Sequence, residues 1–130
     1  MKKAVSCLLL ALSLPVRAEL KQCDDADFVC NNQRSFVVAQ KLKLIEARLR
    51  RIDAEAYRRN DWPEPTDTAG TWRDSQKLWV KFTEADCRFE SEPLSVSLGS
   101  GYGREYWQCI AERYDRRLHQ AEDMIRRMRE

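Results

Sequence analysis

The longest regular pattern of apolar and polar positions in the chain runs from Ser35 to Arg59. Lys, Arg, Glu and Asp fill most of its other positions, and neither Pro nor Gly interrupts it. The pattern therefore predicts a long amphipathic helix. We favour packing of its apolar face within the domain, and the alternative is an oligomer seam. That face alternates steps of four and three residues and consists of Val38, Leu42, Ile45, Leu49, Ile52 and Ala56.

Two further helices are predicted, each preceded by a turn-rich segment. The stretch "DWPEPTDTAG" should end the first helix near Asn60, and Thr71 should cap a second helix that reaches Cys87. A loop, "SEPLSVSLGSGYG", should lead to a third helix over residues 104–129. The predicted inner face of the second helix is Trp72, Gln76, Trp79 and Phe82 or Thr83. That of the third is Trp107, Ile110, Tyr114, Leu118 (or Arg117), Ala121, Ile125 and Met128.

Three long helices without a convincing strand predict an all-α fold, a small antiparallel bundle. The N-terminal "MKKAVSCLLLALSLPVRA" combines two lysines, a short apolar run and small residues before a possible cleavage site. This pattern is typical of a signal peptide, here residues 1–18, and the less favoured alternative is an uncleaved N-terminal anchor. Its apolar run is too short to span a bilayer of about 30 Å. Residues 19–130 should then form one exported domain, periplasmic or secreted, with no stable membrane span.

Cleavage of that peptide would change the charge and the cysteine count. It removes three basic residues from 23 and no acidic residue from 21, which leaves a net charge of −1. A chain without a basic excess is a poor nucleic-acid binder, so no nucleic-acid partner is expected. Four cysteines remain after cleavage, and an even number in a short exported chain indicates two disulfides with three possible connectivities. They are Cys23, Cys30, Cys87 and Cys109.

Geometry favours Cys87–Cys109, because an antiparallel hairpin brings the end of the second helix to the start of the third. Cys23–Cys30 would then be the second bridge and would need a folded-back turn. A continuous helix would hold those two Cα atoms about 10.5 Å apart, whereas a disulfide needs them within about 7 Å. No C-x-x-C pair is present. A metal site and a redox centre are therefore both disfavoured.

A Cys87–Cys109 bridge also predicts which residues face each other across the second and third helices. Phe82 should lie opposite Tyr114 as an aromatic pair, and the guanidinium of Arg117 should lie on or beside the ring of Trp79. Gln76 should lie near Gln120.

Catalytic chemistry has little support in the sequence. The single histidine, His119, has no free cysteine beside it, and no hydrolase, zinc-protease or phosphate-binding motif occurs. We therefore expect no enzyme activity, no cofactor, no metal and no catalytic residue.

The segments "QKLWVKFTEADC", "GSGYG" and "CIAERYDRRL" together resemble the LprI-type lysozyme inhibitor domain, also called the domain of unknown function 1311 family. The resemblance implies a small, exported, helical, disulfide-bonded bacterial protein, and lysozyme inhibition is associated with part of the family. The matching positions are Gln76, Lys77, Trp79, Cys87, Cys109 and Arg117. Together with Phe82 and Tyr114, the motif residues are expected to be scaffold.

Two functions follow as hypotheses. In the first, the protein plugs the cleft of a lysozyme with the loops at residues 62–70 and 90–103 and does no chemistry. Their acidic residues would meet a basic enzyme and raise the association rate. The alternative is an envelope interaction module with another protein partner, which would dock on the first helix or the basic C-terminal face. The oligomeric state stays open. The candidate contact residues in the loops are Glu64, Asp67, Glu90, Glu92 and Tyr102.

Overall fold

Three α-helices make up most of the described chain in the computed structural model, which describes residues 23–24, 27–61, 64–98 and 102–130. Helix α1 spans Phe28–Arg58, α2 spans Thr68–Leu98 and α3 spans Tyr102–Arg129. The predicted all-α bundle of three long helices is confirmed. The predicted signal peptide lies outside the described residues. Within those residues, no helix is both long and apolar enough to cross a membrane.

Helix α1 begins seven residues earlier than the apolar pattern indicated, because a polar side chain caps it. The carboxylate of Asp27 accepts a hydrogen bond from the backbone N–H of Cys30 at 2.9 Å. The buried residue of this added part is Asn31, which is polar, so apolar periodicity could not reveal it. At the other end Asn60 has a φ of 55°. Backbone hydrogen bonds from Asn60 and Asp61 back into the helix complete a Schellman-type end.

Helix α2 differs most from the prediction. It begins at Thr68, where Asp67 accepts from the N–H of Gly70 at 2.9 Å and Asp53 of α1 accepts from the N–H of Ala69 at 3.1 Å. Thr71 is therefore not the N-cap. The helix also continues eleven residues past Cys87 to Leu98 and includes Pro93, so the predicted loop from Ser91 onward is wrong over residues 91–98.

This C-terminal extension of α2 follows the packing of its inner face. Ser91 lies one turn after Cys87 and is only 1% exposed, and its hydroxyl donates to the carbonyl of Cys87. Pro93 removes one N–H from the helical ladder. The carbonyl that loses its helical donor belongs to Phe89, on an exposed residue that water can reach. Burial of the inner face thus overrides the poor helix propensity of the sequence.

The core is formed by the predicted stripe of α1 and the inner face of α3. Their packing confirms that the stripe is a domain core, so the oligomer seam and docking through this stripe are both excluded. The buried members are Val38, Leu42, Ile45, Leu49, Ile52, Ala69, Leu118, Ala121 and Ile125, with Trp72, Trp79, Tyr114 and Met128 packed against them.

Both disulfides have the predicted partners. Cys23 and Cys30 are joined with a Cα–Cα distance of 5.7 Å, and Cys87 and Cys109 with one of 5.6 Å. Helix α2 runs antiparallel to its two neighbours, so α1 and α3 run in the same direction. At the start of these two helices, a Cβ atom on Gly103 would lie 2.9 Å from the ring of Phe28. A larger residue at position 103 would therefore displace the exposed ring of Phe28.

Candidate functional site

The motif residues meet at Arg117, whose guanidinium lies between two tryptophan rings of α2. Its central carbon is 4.6 Å from the centroid of Trp72 and 5.3 Å from that of Trp79. The predicted contact with Trp79 is confirmed. The contact with Trp72 was missed, although the two tryptophans are seven residues apart and therefore share a helix face. Such paired cation–π contacts strengthen when the cation is withdrawn from water.

Three neutral side chains complete the shell around this cation. The Nε of Arg117 donates to Gln76, and its two terminal nitrogens donate to Ser75 and Gln120, all at 3.1 Å. Burial lowers the pKa of Arg117 from its usual value, but a guanidinium stays protonated at physiological pH. Gln76 and Gln120 both accept a hydrogen bond from Arg117, so they lie near each other as predicted. We call Arg117, Trp72, Trp79 and Gln76 the arginine cluster.

The predicted pairing of Phe82 with Tyr114 is wrong. The ring of Tyr114 packs instead on Trp79, with centroids 5.2 Å apart and planes tilted by 48°, whereas Phe82 is 61% exposed. Five residues separate Phe82 from Cys87, which rotates it about 140° away from the disulfide-bonded face at about 100° per residue. Thr83, one turn before Cys87, takes the inner position and is 1% exposed.

The environment of Tyr114 disfavours its ionised form. Burial, followed by the charges of Glu84 and Tyr106, raises the pKa of the Tyr114 hydroxyl. Tyr114 therefore serves as a neutral packing residue beside the arginine cluster, with its proton held more tightly than that of an exposed tyrosine.

Two networks of ion pairs fasten α3 to its neighbours. Arg113 binds Asp86 at 2.5 Å and Glu90 at 2.6 Å, both on α2. Arg34 of α1 pairs with Asp115, and both side chains are largely withdrawn from solvent. The Nε of Arg34 and the Oδ1 of Asp115 are buried without a hydrogen-bond partner. This pair therefore carries an uncompensated desolvation cost.

The five candidate contact residues do not share one surface. Glu64 and Asp67 lie exposed in the α1–α2 connection, where Asp67 caps α2. Glu90 and Glu92 lie on helix α2, not in a loop, which corrects the prediction. Tyr102 is the first residue of α3, and its side chain is outside the description.

Among the described residues, the polar groups to consider for chemistry are His119 and the arginine cluster. His119 is exposed, and its Nδ1 lies 2.8 Å from the backbone oxygen of Asp115. Within these residues, no group of three His, Cys, Asp or Glu side chains could hold a metal ion. The arginine cluster contains a cation, two indoles and an amide, and none of these is a nucleophile or a general base at neutral pH. Its role in the geometry is to fix α3 against α2.

A large apolar surface is exposed on α2 beside this cluster. Leu78, Phe82 and Phe89 follow one another at steps of four and seven residues, and they are 71%, 61% and 75% exposed. Apolar residues in such a row mark interaction surfaces more often than singly scattered ones do.

In a comparison with protein families, the family described as lysozyme inhibitor LprI matches the chain over residues 23–121. The matched region covers well over half of the chain and contains both disulfides and the arginine cluster. Neither the curated proteins nor the solved structures gave a match.

Proposed function

The chain belongs to the LprI lysozyme inhibitor family, and on that premise we propose that it is an exported protein that inhibits a lysozyme by binding to it. The observation that carries this proposal is the family match across residues 23–121, which includes α1, α2 and α3 as far as Ala121. The two disulfides support an oxidising compartment, periplasmic or secreted. The inhibition would be occlusion of the enzyme's cleft, without any reaction of the inhibitor.

The end of the bundle formed by residues 59–61, residues 64–67 and the last turn of α3 is the surface we propose for this contact. A lysozyme is a glycosidase, and glycosidases place two carboxyl groups at the scissile bond. Cations on the inhibitor would complement these carboxyl groups. Arg59, Arg127 and Arg129 are exposed at this bundle end, where they line a cavity of about 690 Å³ together with three acidic residues. Glu64 and Asp67, in the same connection, would meet basic groups at the rim of the cleft.

The direct test is a lysozyme assay with the oxidised chain that starts at Glu19. Peptidoglycan hydrolysis should fall as the protein is added in molar excess, and the inhibition should saturate. Arg59→Glu combined with Arg127→Glu should weaken it, because both variants place a negative charge near the enzyme's carboxylates. Arg104→Glu, at the opposite end of the bundle, makes the same charge change as either substitution alone and is the control for each single variant. Unchanged hydrolysis with a panel of lysozymes would refute the proposal.

The exposed row Leu78, Phe82 and Phe89 favours a second candidate function, an envelope interaction module with a partner other than lysozyme. Size-exclusion chromatography with light scattering separates the two. A tight homodimer that Phe82→Ser converts to monomer would support the interaction module. A monomer that inhibits lysozyme would support the first function.

A further inference from the structure

A second surface, distinct from the bundle end, is a groove between α1 and α2. The groove has a volume of about 680 Å³, within the range of about 300–1,000 Å³ typical of small-molecule sites. Its floor is apolar and consists of Leu42, Val80 and the half-buried rings of Trp72 and Tyr114. Tyr114 belongs to α3, so the groove reaches through to the third helix.

The rim of the groove is basic. Lys43, Lys77, Lys81 and Arg73 border it, and the single acid among its lining residues is Glu46. Glu46 is already engaged by Arg50 at 2.7 Å and by Arg73 at 3.7 Å. The three lysines have no ion pair within the described part of the chain. The positive charges of these lysines therefore lie beside an apolar floor with no carboxylate paired to them in the described residues.

Gln76 adds an oriented hydrogen-bond donor to the same groove. Its side-chain oxygen accepts from Arg117 at 3.1 Å, on the α3 side of the helix. That bond leaves the amide N–H₂ group as the free end of the side chain, and no acceptor binds it in the parts of the chain that the structure describes. The arginine cluster thus fixes an unused donor next to Lys77, on a residue that lines the groove.

We propose that this groove binds an amphipathic anion, a carboxylate head on a medium-length alkyl chain. The head lies among Lys43, Lys77 and Lys81 and receives the N–H₂ of Gln76, and the chain lies along the floor toward Trp72. On α2 the lining residues 72–81 span about 13.5 Å at ~1.5 Å per residue, and the head and the tail share this length, which suits an anion of about ten carbons in all. This inference does not rest on lysozyme inhibition, because the two surfaces share no residue.

Decanoate is the probe, titrated into the oxidised chain below its micelle concentration. Trp72 lines the groove, so tryptophan fluorescence should change and saturate, and calorimetry should give one site per chain. Decyl glucoside, which has the same tail and an uncharged head, should bind at least roughly tenfold more weakly. Lys77→Glu combined with Lys81→Glu should weaken decanoate binding to a similar degree. Arg51→Glu combined with Arg116→Glu is the control, since it makes the same charge change on solvent-facing positions.

All four substituted residues are exposed, so the variants should keep the wild-type thermal midpoint, which a melting curve verifies. Equal affinity for decanoate and decyl glucoside would overturn the proposal. An equal loss of decanoate affinity in the groove variant and in its control would overturn it too. Absence of saturable decanoate binding would overturn it as well. The chain could also form a homodimer. If Lys77→Glu with Lys81→Glu dissociates that dimer and decanoate leaves it intact, the groove is assigned to a second copy of the chain instead.

Discussion

Arg117 of α3 lies over the ring of Trp72 of α2, with its guanidinium carbon 4.6 Å from the ring centroid. The same guanidinium also reaches Trp79, Gln76 and Ser75 on α2. One side chain therefore binds four residues of the neighbouring helix along about two turns of it. This contact and the disulfide Cys87–Cys109 fix the α2–α3 register at two separate points.

Arg117→Ala should destabilise the fold by about 2–3 kcal/mol, because it removes two cation–π contacts and hydrogen bonds to neutral acceptors. Arg117→Lys should recover less than half of this, since a lysine cannot stack or bind three acceptors in the guanidinium geometry. Urea unfolding with the disulfides intact measures both. Arg116→Ala, at the exposed neighbouring position, should cost less than about 0.5 kcal/mol. Equal losses of unfolding free energy in Arg117→Ala and Arg116→Ala would contradict a structural role for the arginine cluster.

The two disulfides should contribute unequally. In the chain-entropy treatment, loss of Cys87–Cys109 by double substitution to Ser costs about 3.4 kcal/mol, and loss of Cys23–Cys30 about 2.5 kcal/mol, because the second bridge closes a shorter loop. Urea unfolding of each double variant gives the comparison. A larger loss from the Cys23–Cys30 variant would show that local structure at the start of α1 matters more than loop length.

Removing one partner of the Arg34–Asp115 pair should lower the free energy of unfolding more than replacing both partners with apolar residues. Its side chains are 24% and 13% exposed. Arg34→Leu alone leaves a carboxylate withdrawn from water and should cost about 2–3 kcal/mol, a value reduced for the remaining exposure. The double variant Arg34→Leu with Asp115→Leu should regain most of that loss. A double-mutant cycle measures the coupling, and strictly additive costs would argue against a direct ionic contact in solution.

Tyr114 should make the protein sensitive to alkaline pH. Burial raises the pKa of its hydroxyl in the folded state, whereas an unfolded tyrosine loses its proton near pH 10. Above about pH 10 the unfolded chain therefore binds fewer protons than the folded one, so the free energy of unfolding falls as pH rises. Below about pH 10, Tyr114 should have no effect on the pH dependence of the free energy of unfolding. Tyr114→Phe should reduce the alkaline loss, which urea titrations at pH 8 and pH 10.5 can compare.

The features that the sequence predicted correctly rest on long apolar periodicity and on topology. The α1 stripe from Val38 to Ile52 is an uninterrupted pattern, and it forms the core as expected. The cysteine pairing and the Arg117–Trp79 contact both follow from placing two antiparallel helices side by side.

The errors occurred where polarity and burial disagree. Asn31 and Ser91 are buried polar residues in the two helix segments that the prediction missed, so apolar periodicity could not mark those segments. Phe82 is the opposite case, an aromatic residue that the position of Cys87 rotates into solvent. The groove between α1 and α2 could not be predicted either, because it depends on how far two helices stand apart and not on the pattern of one.

Both disulfides join residues in the same half of the bundle, the half that contains the start of α1 and of α3. Within the described residues, the opposite half contains no disulfide and is closed by packing and by hydrogen bonds from Thr66 and Ala69 to Asp53. Local opening should therefore begin there, and amide protons near Ile125 should exchange earlier than those near Ile110. A protease should accordingly cut first at the uncross-linked end, and the disulfide-bonded half would remain as the resistant fragment.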